Sequence, residues 1–181
     1  MESVDSPAFW GYMRGLMTKI MRAFLAPIIF LCFTCAAPAV AAQPQFPAHV
    51  IAVADGDTIT VLTKDKRQVR IRLYGIDCPE KVQAFGNRAT QATSDAVYGK
   101  DVLVRPMDTD HYGNLVAIVL MPNGASLNER LVRDGLAWVY TRYCKDEDIC
   151  APLRKLEASV RATRRGLWVD KKPVPPWEWR R

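Results

Sequence analysis

Residues Gln68-Val69-Arg70-Ile71-Arg72-Leu73-Tyr74 alternate polar and apolar side chains, and the strand they form must end almost at once. Gly75 is a turn residue, and Pro79 has no amide proton to give a ladder. The strand therefore runs out into Ile76-Asp77-Cys78-Pro79-Glu80, a turn carrying two carboxylates. Arg72 projects from the stiff support just before it. A cation beside two acids on a rigid element is equipment for holding a metal and a phosphate together. Upstream, Asp55-Gly56-Asp57-Thr58 adds two more acids at a glycine turn between strand-like runs.

Three strand-like runs are expected near residues 49–54, 57–63 and 67–74, the last two joined by the polar loop Lys64-Asp65-Lys66. Residues 83–97 have helical spacing and stop at Gly99. Strand alternation returns at 101–107 and 115–121, and the turn Pro122-Asn123-Gly124 closes the second run. Ser126, with Glu129 three residues on, reads as a helix cap, and that helix stops at Gly135. A last helix is expected over 150–165, halted by Gly166. This order predicts a mainly β, α+β fold: a five-stranded OB-type barrel with about three helices, a class that binds oligonucleotides on one face.

The chain starts differently. Lys19 and Arg22 precede an apolar stretch, Ala23 to Phe33, and small residues follow through Ala42. That pattern predicts a signal peptide over residues 1–42, with Met17 an alternative start. A retained membrane anchor is the alternative, although Pro38 shortens the apolar core below a comfortable span. After cleavage the domain of residues 43–168 and a tail of 169–181 remain. The expected product is exported, monomeric and not stably attached to the membrane. The formal charge is +6 for the whole chain and +5 without residues 1–42. A modest basic excess suits a polyanion but also simply aids solubility, so charge does not choose between them.

Cysteine usage agrees with export. Cys32 and Cys35 leave with the signal, while Cys144 and Cys150 flank a short polar loop that one disulfide can close. Cys78 is then the odd thiol, and its place beside Pro79 suits a small structural residue better than a nucleophile. The tail Asp170 to Arg181 is too rich in proline for a helix or central strand. Its tryptophans either stack on bases or strap the outside of the barrel.

Three motifs together, Asp55-Gly56-Asp57-Thr58, Arg72 to Glu80, and Asp110-His111-Tyr112-Gly113-Asn114, resemble the staphylococcal nuclease family. The resemblance runs from about His49 to Trp168. It implies a calcium-dependent hydrolase of DNA or RNA. Asp57 and Asp77 are the carboxylate pair for a hard cation, and by resemblance the backbone carbonyl of Cys78 completes the protein ligands. Glu80 is expected to hold and deprotonate the attacking water. Arg72 can pair with phosphate through two parallel N–H bonds, which a lysine cannot reproduce. His111 and Tyr112 fall where the family contacts a nucleotide phosphate. Tyr143 is a candidate base-stacking residue, with packing the competing role for both tyrosines. Asp55 either supports the metal acids or fixes the glycine turn.

The third motif departs from the family. Asn114 stands where relatives carry a second arginine that neutralises transition-state charge. Losing such a donor commonly lowers the rate several hundred-fold, about 3–4 kcal/mol. Arg105 and His111 lie close enough in sequence to be considered as substitutes. The motifs therefore point to a nuclease of reduced turnover. The competing readings are a nucleic-acid-binding module that has lost catalysis and, less specifically, a scaffold domain on the same barrel.

Overall fold

A computed structural model describes residues 44–181. The expected signal peptide, Met17, Cys32 and Cys35 lie outside the described residues. Three antiparallel-compatible strands come first: β1 (Phe46–Val53), β2 (Thr58–Thr63) and β3 (Gln68–Leu73). A two-residue strand β4 (Ile76–Asp77) leads to helix α1 (Gly86–Val97), then β5 (Asp101–Thr109) and β6 (Leu115–Leu120). Helix α2 (Leu127–Arg133), the short strand β7 (Trp138–Val139) and helix α3 (Glu147–Ala162) follow. A 3-10 turn (Gly166–Val169) and the one-turn helix α4 (Pro176–Trp179) end the chain.

The five longer strands close into a barrel in the order β1-β2-β3-β6-β5. This is the expected five-stranded α+β architecture. Neighbours are antiparallel except β3 and β6, which run parallel with Ile71 opposite Leu115 and Arg72 opposite Val116. Alternation along β3 sends Ile71 and Leu73 into the core with Val50, Ile59, Val61, Val104 and Val119. Burying each such side chain contributes roughly 1.5–3 kcal/mol. The same alternation leaves Arg70 exposed and Arg72 half-buried on the outer face. Among the described residues no helix is long and apolar enough to cross a membrane.

Several boundaries depart from expectation for identifiable reasons. Strand β1 begins at Phe46 and contains Pro47, which pairs only with Leu103 of β5, since pairing with β2 starts at Ala48. A proline at such a rim position interrupts no second ladder. Strand β5 continues to Thr109 because the register shift between Pro106 and Asp108 absorbs the proline as a bulge. Helix α1 starts at Gly86 rather than Gln83, because two successive turns (Gln83 N to Glu80 O 2.8 Å, Gly86 N to Gln83 O 3.0 Å) precede it. Helix α3 starts at Glu147, inside the expected polar loop. Asp146 caps it by accepting from the Asp148 amide at 3.1 Å, and Glu147 and Asp148 suit the positive end of its dipole.

The three expected helices are joined by a fourth, from the tail. The prolines do not forbid it: Pro175 is the cap and Pro176 opens the turn, where no amide donor is needed. The tail packs against the domain. Trp177 stacks on Tyr140 with ring centroids 4.7 Å apart and planes 7° apart, and meets the Trp138 ring edge-on at 5.7 Å. The strap reading of the tail is therefore the one realised.

Candidate active site

The acids are brought together by backbone ladders. Asp77 lies in β4, opposite Trp138 of β7, and Leu73 N donates to the Asp57 carbonyl at 2.8 Å. The turn before Asp57 is held from three sides. Asp55 Oδ1 accepts from the Asp57 amide at 3.1 Å, so Asp55 fixes the glycine turn. The Gly56 carbonyl accepts from Thr93 Oγ1 of α1 at 2.6 Å. A Cβ on Gly56 would lie 2.7 Å from those of both Ala89 and Cys78, so only glycine lets the turn seat against the helix and the acidic turn.

Asp57 and Asp77 are 4% and 0% exposed, an unusual degree of burial for carboxylates. Asp57 Oδ2 accepts from the Cys78 amide at 2.9 Å and Oδ1 accepts from Thr58 Oγ1 at 3.1 Å. Arg72 reaches over both acids, with Nη2 2.8 Å from Asp77 Oδ1 and 3.7 Å from Asp57 Oδ2. Burial pushes the Asp57 carboxyl up to about 8, with Arg72 opposing and the neighbouring acids Asp55 and Asp77 adding to the rise. Burial also raises Asp77, against the pull of Arg180 and Arg72. Burial by itself lowers the Arg72 guanidinium, but Asp57 and Asp77 outweigh it and leave it raised. The site is short of positive charge.

Cys78 is a free, buried thiol, pushed well up by burial first and by the surrounding acids after that. A thiol so protonated is no nucleophile. Cys144 and Cys150 are bridged, with Cα atoms 5.7 Å apart. The bridged loop is tied to β3 through Tyr74, whose hydroxyl oxygen accepts from the Lys145 and Asp146 amides at 2.7 and 3.0 Å.

Asn114 is committed to its own turn. Its side-chain amide donates to Asp110 Oδ2 and its backbone amide to Asp110 Oδ1, both at 2.8 Å. Slight burial would raise Asp110, but the bonds from Asn114 and Tyr112 outweigh it and hold the carboxyl below its usual range. Tyr112 is 80% exposed, with the His111 ring 3.8 Å away, and Tyr143 is 54% exposed. Neither tyrosine is a core residue. Among the described residues no hydrogen bond or ion pair joins His111 or Arg105 to Asp57, Asp77 or Glu80.

The side chain absent from the sequence reading is Arg180. Its Nη2 lies 2.6 Å from Asp77 Oδ2, and its Nη1 lies 3.2 Å from Asp77 Oδ1 and 2.6 Å from Glu80 Oε1. The hydrogen bond to Asp77 comes first in raising its pKa, and Glu80 adds to it against partial burial. A second link joins the same turn to the tail: Gln83 Oε1 accepts from the Glu80 amide at 3.2 Å, while Gln83 Nε2 donates to the Val174 carbonyl at 2.5 Å. A signal for Arg180 did exist. Asp57, Asp77 and Glu80 outnumber Arg72, and the tail is one of several stretches whose arginines could offset them.

A family described as staphylococcal nuclease homologue matches residues 70–170. An uncharacterized endonuclease of Escherichia coli O157:H7 is 43% identical over 132 residues, covering 73% of this chain and 83% of that protein. Protein ParB of Escherichia coli is 41% identical over 148 residues, 77% of this chain and 82% of that protein. A micrococcal nuclease of Shigella flexneri is 34% identical over 169 residues, 89% of this chain and 92% of that protein.

Proposed function

We infer, from the premise that this chain belongs to the staphylococcal nuclease family, that it is an endonuclease hydrolysing phosphodiester bonds of DNA or RNA. The observation that carries the reading is Arg72 clamped over two buried carboxylates, Asp77 at 2.8 Å and Asp57 at 3.7 Å. Such a fork is matched to a phosphate's oxygens once the acids are otherwise neutralised.

Calcium fits this donor set. Two buried acids, one held up near 8 by burial, gain most from a hard divalent ion that restores the missing positive charge. Among the described residues no three His, Cys, Asp or Glu side chains converge as a metal cluster. Asp57 and Asp77 would hold the ion, and the Cys78 carbonyl and water would supply further oxygen ligands. When bound, the ion would polarise the phosphoryl oxygen and neutralise its charge. Arg72 binds the same phosphate through paired N–H groups. Glu80, in the turn leaving β4, orients a water and takes its proton as the oxygen attacks phosphorus. The P–O bond opposite breaks, its electron pair leaves on the sugar oxygen, and that oxygen takes a proton from solvent water. His111, Tyr112 and Tyr143 contact the substrate from their exposed positions. The Cys144–Cys150 bridge supports an exported, oxidised protein.

A second reading has its own observation. Asn114 carries no charge and its amide is taken by Asp110, which favours a module that binds nucleic acid without cutting it. Nicking of supercoiled plasmid in calcium or in chelator separates the two. Calcium-dependent nicking that Glu80→Ala removes supports the nuclease. Binding with no nicking at any calcium concentration overturns it in favour of the module.

A further inference from the structure

We propose that Arg180 is a second catalytic arginine of this site, brought to the substrate phosphate by the C-terminal strap. The proposal deepens the nuclease reading and rests on it. Three features hold the strap in place. Gln83 ties Val174 to the Glu80 turn, and Trp177 stacks on Tyr140 and against Trp138. Trp138 in turn pairs with Asp77 in the small sheet. Trp177 and Arg180 are three residues apart across one helical turn, so they share a face. Docking the ring on Tyr140 therefore aims the guanidinium at Asp77.

Charge counting indicates what the guanidinium is for. Asp57, Asp77 and Glu80 bring at most three negative charges, and Arg72 with Arg180 returns two. A divalent cation on the carboxylates turns the cluster to a net +1. That matches the single negative charge of a phosphodiester and favours the extra charge that develops during attack. With Arg72 alone, the same cluster would be neutral. Arg180 has five donors, and its side chain is 38% exposed, so it can exchange carboxylate contacts for phosphate contacts without leaving its anchor. Asn114 does not compete for the role, since its amide is held by Asp110. The register of β3 and β6, continued one residue from the Ile71–Leu115 pair, sets Asn114 beside Arg70 on the barrel face that carries Arg72. An arginine at 114 would thus share a barrel face with Arg72.

The opposite role, a plug that blocks the carboxylates, makes opposite predictions. The full chain and the variants Arg180→Ala, Arg180→Lys and Asn114→Arg/Arg180→Ala are compared in calcium. Cleavage rate at saturating single-stranded DNA is one readout. Fluorescence-anisotropy binding of a cleavage-resistant phosphorothioate oligothymidylate is the other.

If Arg180 contacts phosphate, Arg180→Ala lowers the rate by about a hundred-fold and weakens oligothymidylate binding. Arg180→Lys recovers only part of the rate, because it lacks the fork. Adding Asn114→Arg to Arg180→Ala regains at least about tenfold. Should alanine leave Asp77 so poorly paired that the protein unfolds, Arg180→Gln, which keeps donors but no charge, carries the same expectation.

A faster Arg180→Ala enzyme means a plug and overturns the proposal, as do unchanged rate and unchanged binding. A wild type that never cleaves sinks the nuclease reading alone. The binding arm then decides for Arg180: weaker calcium-dependent binding by Arg180→Ala supports its phosphate contact, and equal binding overturns it.

Discussion

Arg180 and Asp77, separated by 103 residues, form a two-point ion pair with N–O distances of 2.6 and 3.2 Å. The last turn of the chain is thereby built into the site formed at the end of β4. Arg72 approaches the same carboxylate from β3, so Asp77 is the point where two arginines and the proposed cation meet.

Asp77→Ala should abolish protection by calcium. Wild type is expected to melt at a higher temperature in calcium than in chelator, because an ion bound only by the folded state stabilises it. The variant should show no such difference. Equal calcium shifts in the two proteins would place the ion elsewhere.

Arg72→Lys should lower the calcium-dependent cleavage rate by about a hundred-fold or more, since a point charge cannot reproduce the paired N–H contact. Its melting temperature in chelator should move far less than that of Arg72→Ala, because the lysine still opposes the buried acids. Steady-state rates and thermal melts on the three proteins check this. A lysine variant that cleaves at the wild-type rate removes the fork from the mechanism.

The raised Asp57 carboxyl sets the sign of a pH dependence. Folding moves its pKa from 3.8 to about 8, so between those values the folded protein keeps a proton that the unfolded chain has released. Metal-free stability attributable to this group is complete below the unfolded value and is lost as pH rises to about 8. The slope is at most about 1.4 kcal/mol per pH unit for one proton. Denaturant melts of wild type and Asp57→Asn in chelator, from acid to mildly alkaline pH, should differ by this falling term. Because the ion needs the ionised acid, calcium should also raise the melting temperature more at alkaline than at acid pH. A calcium shift and a difference between wild type and Asp57→Asn that do not change with pH would mean that Asp57 is ionised throughout.

Alkylation of unreduced, denatured protein should label Cys78 alone among residues 43–181. The bridge between Cys144 and Cys150 leaves no other thiol there. Intact-mass analysis counts the labels. Three labels would mean a reduced protein and would remove the support the bridge lends to export.

Trp177→Ala should act on the site at a distance. The ring stacks on Tyr140 and touches Trp138, so its loss should lower stability by about 1–3 kcal/mol, less than a fully buried tryptophan. Cleavage should fall in the same direction as in Arg180→Ala. Trp177→Phe, which keeps an aromatic face for Tyr140, should restore most of the rate. Loss of stability with no loss of turnover would show that Arg180 finds Asp77 without its anchor.

What the sequence determined by itself is the local part of this protein. Alternation in β3, the stop at Gly75 and Pro79, and the Ser126 cap are set by neighbours a few residues away, so period and turn chemistry reveal them. The same holds for the nearness of Arg72 to Asp77 and Glu80, which share one strand and its exit. Asp57 came within reach of them because β2 and β3 are consecutive antiparallel strands, with Thr58 opposite Arg72. The tail prolines misled, Pro176 among them, since a proline breaks a strand or helix only where its missing amide is needed. At a rim, a bulge and a first helical turn it is not. Tertiary structure alone decided the electrostatics. The degree of burial that raises Asp57, the engagement of Asn114 with Asp110, and the docking of Trp177 that brings Arg180 onto Asp77 all depend on packing between distant segments. No periodicity encodes such packing, because its free energy comes from surfaces that exist only once the barrel has closed.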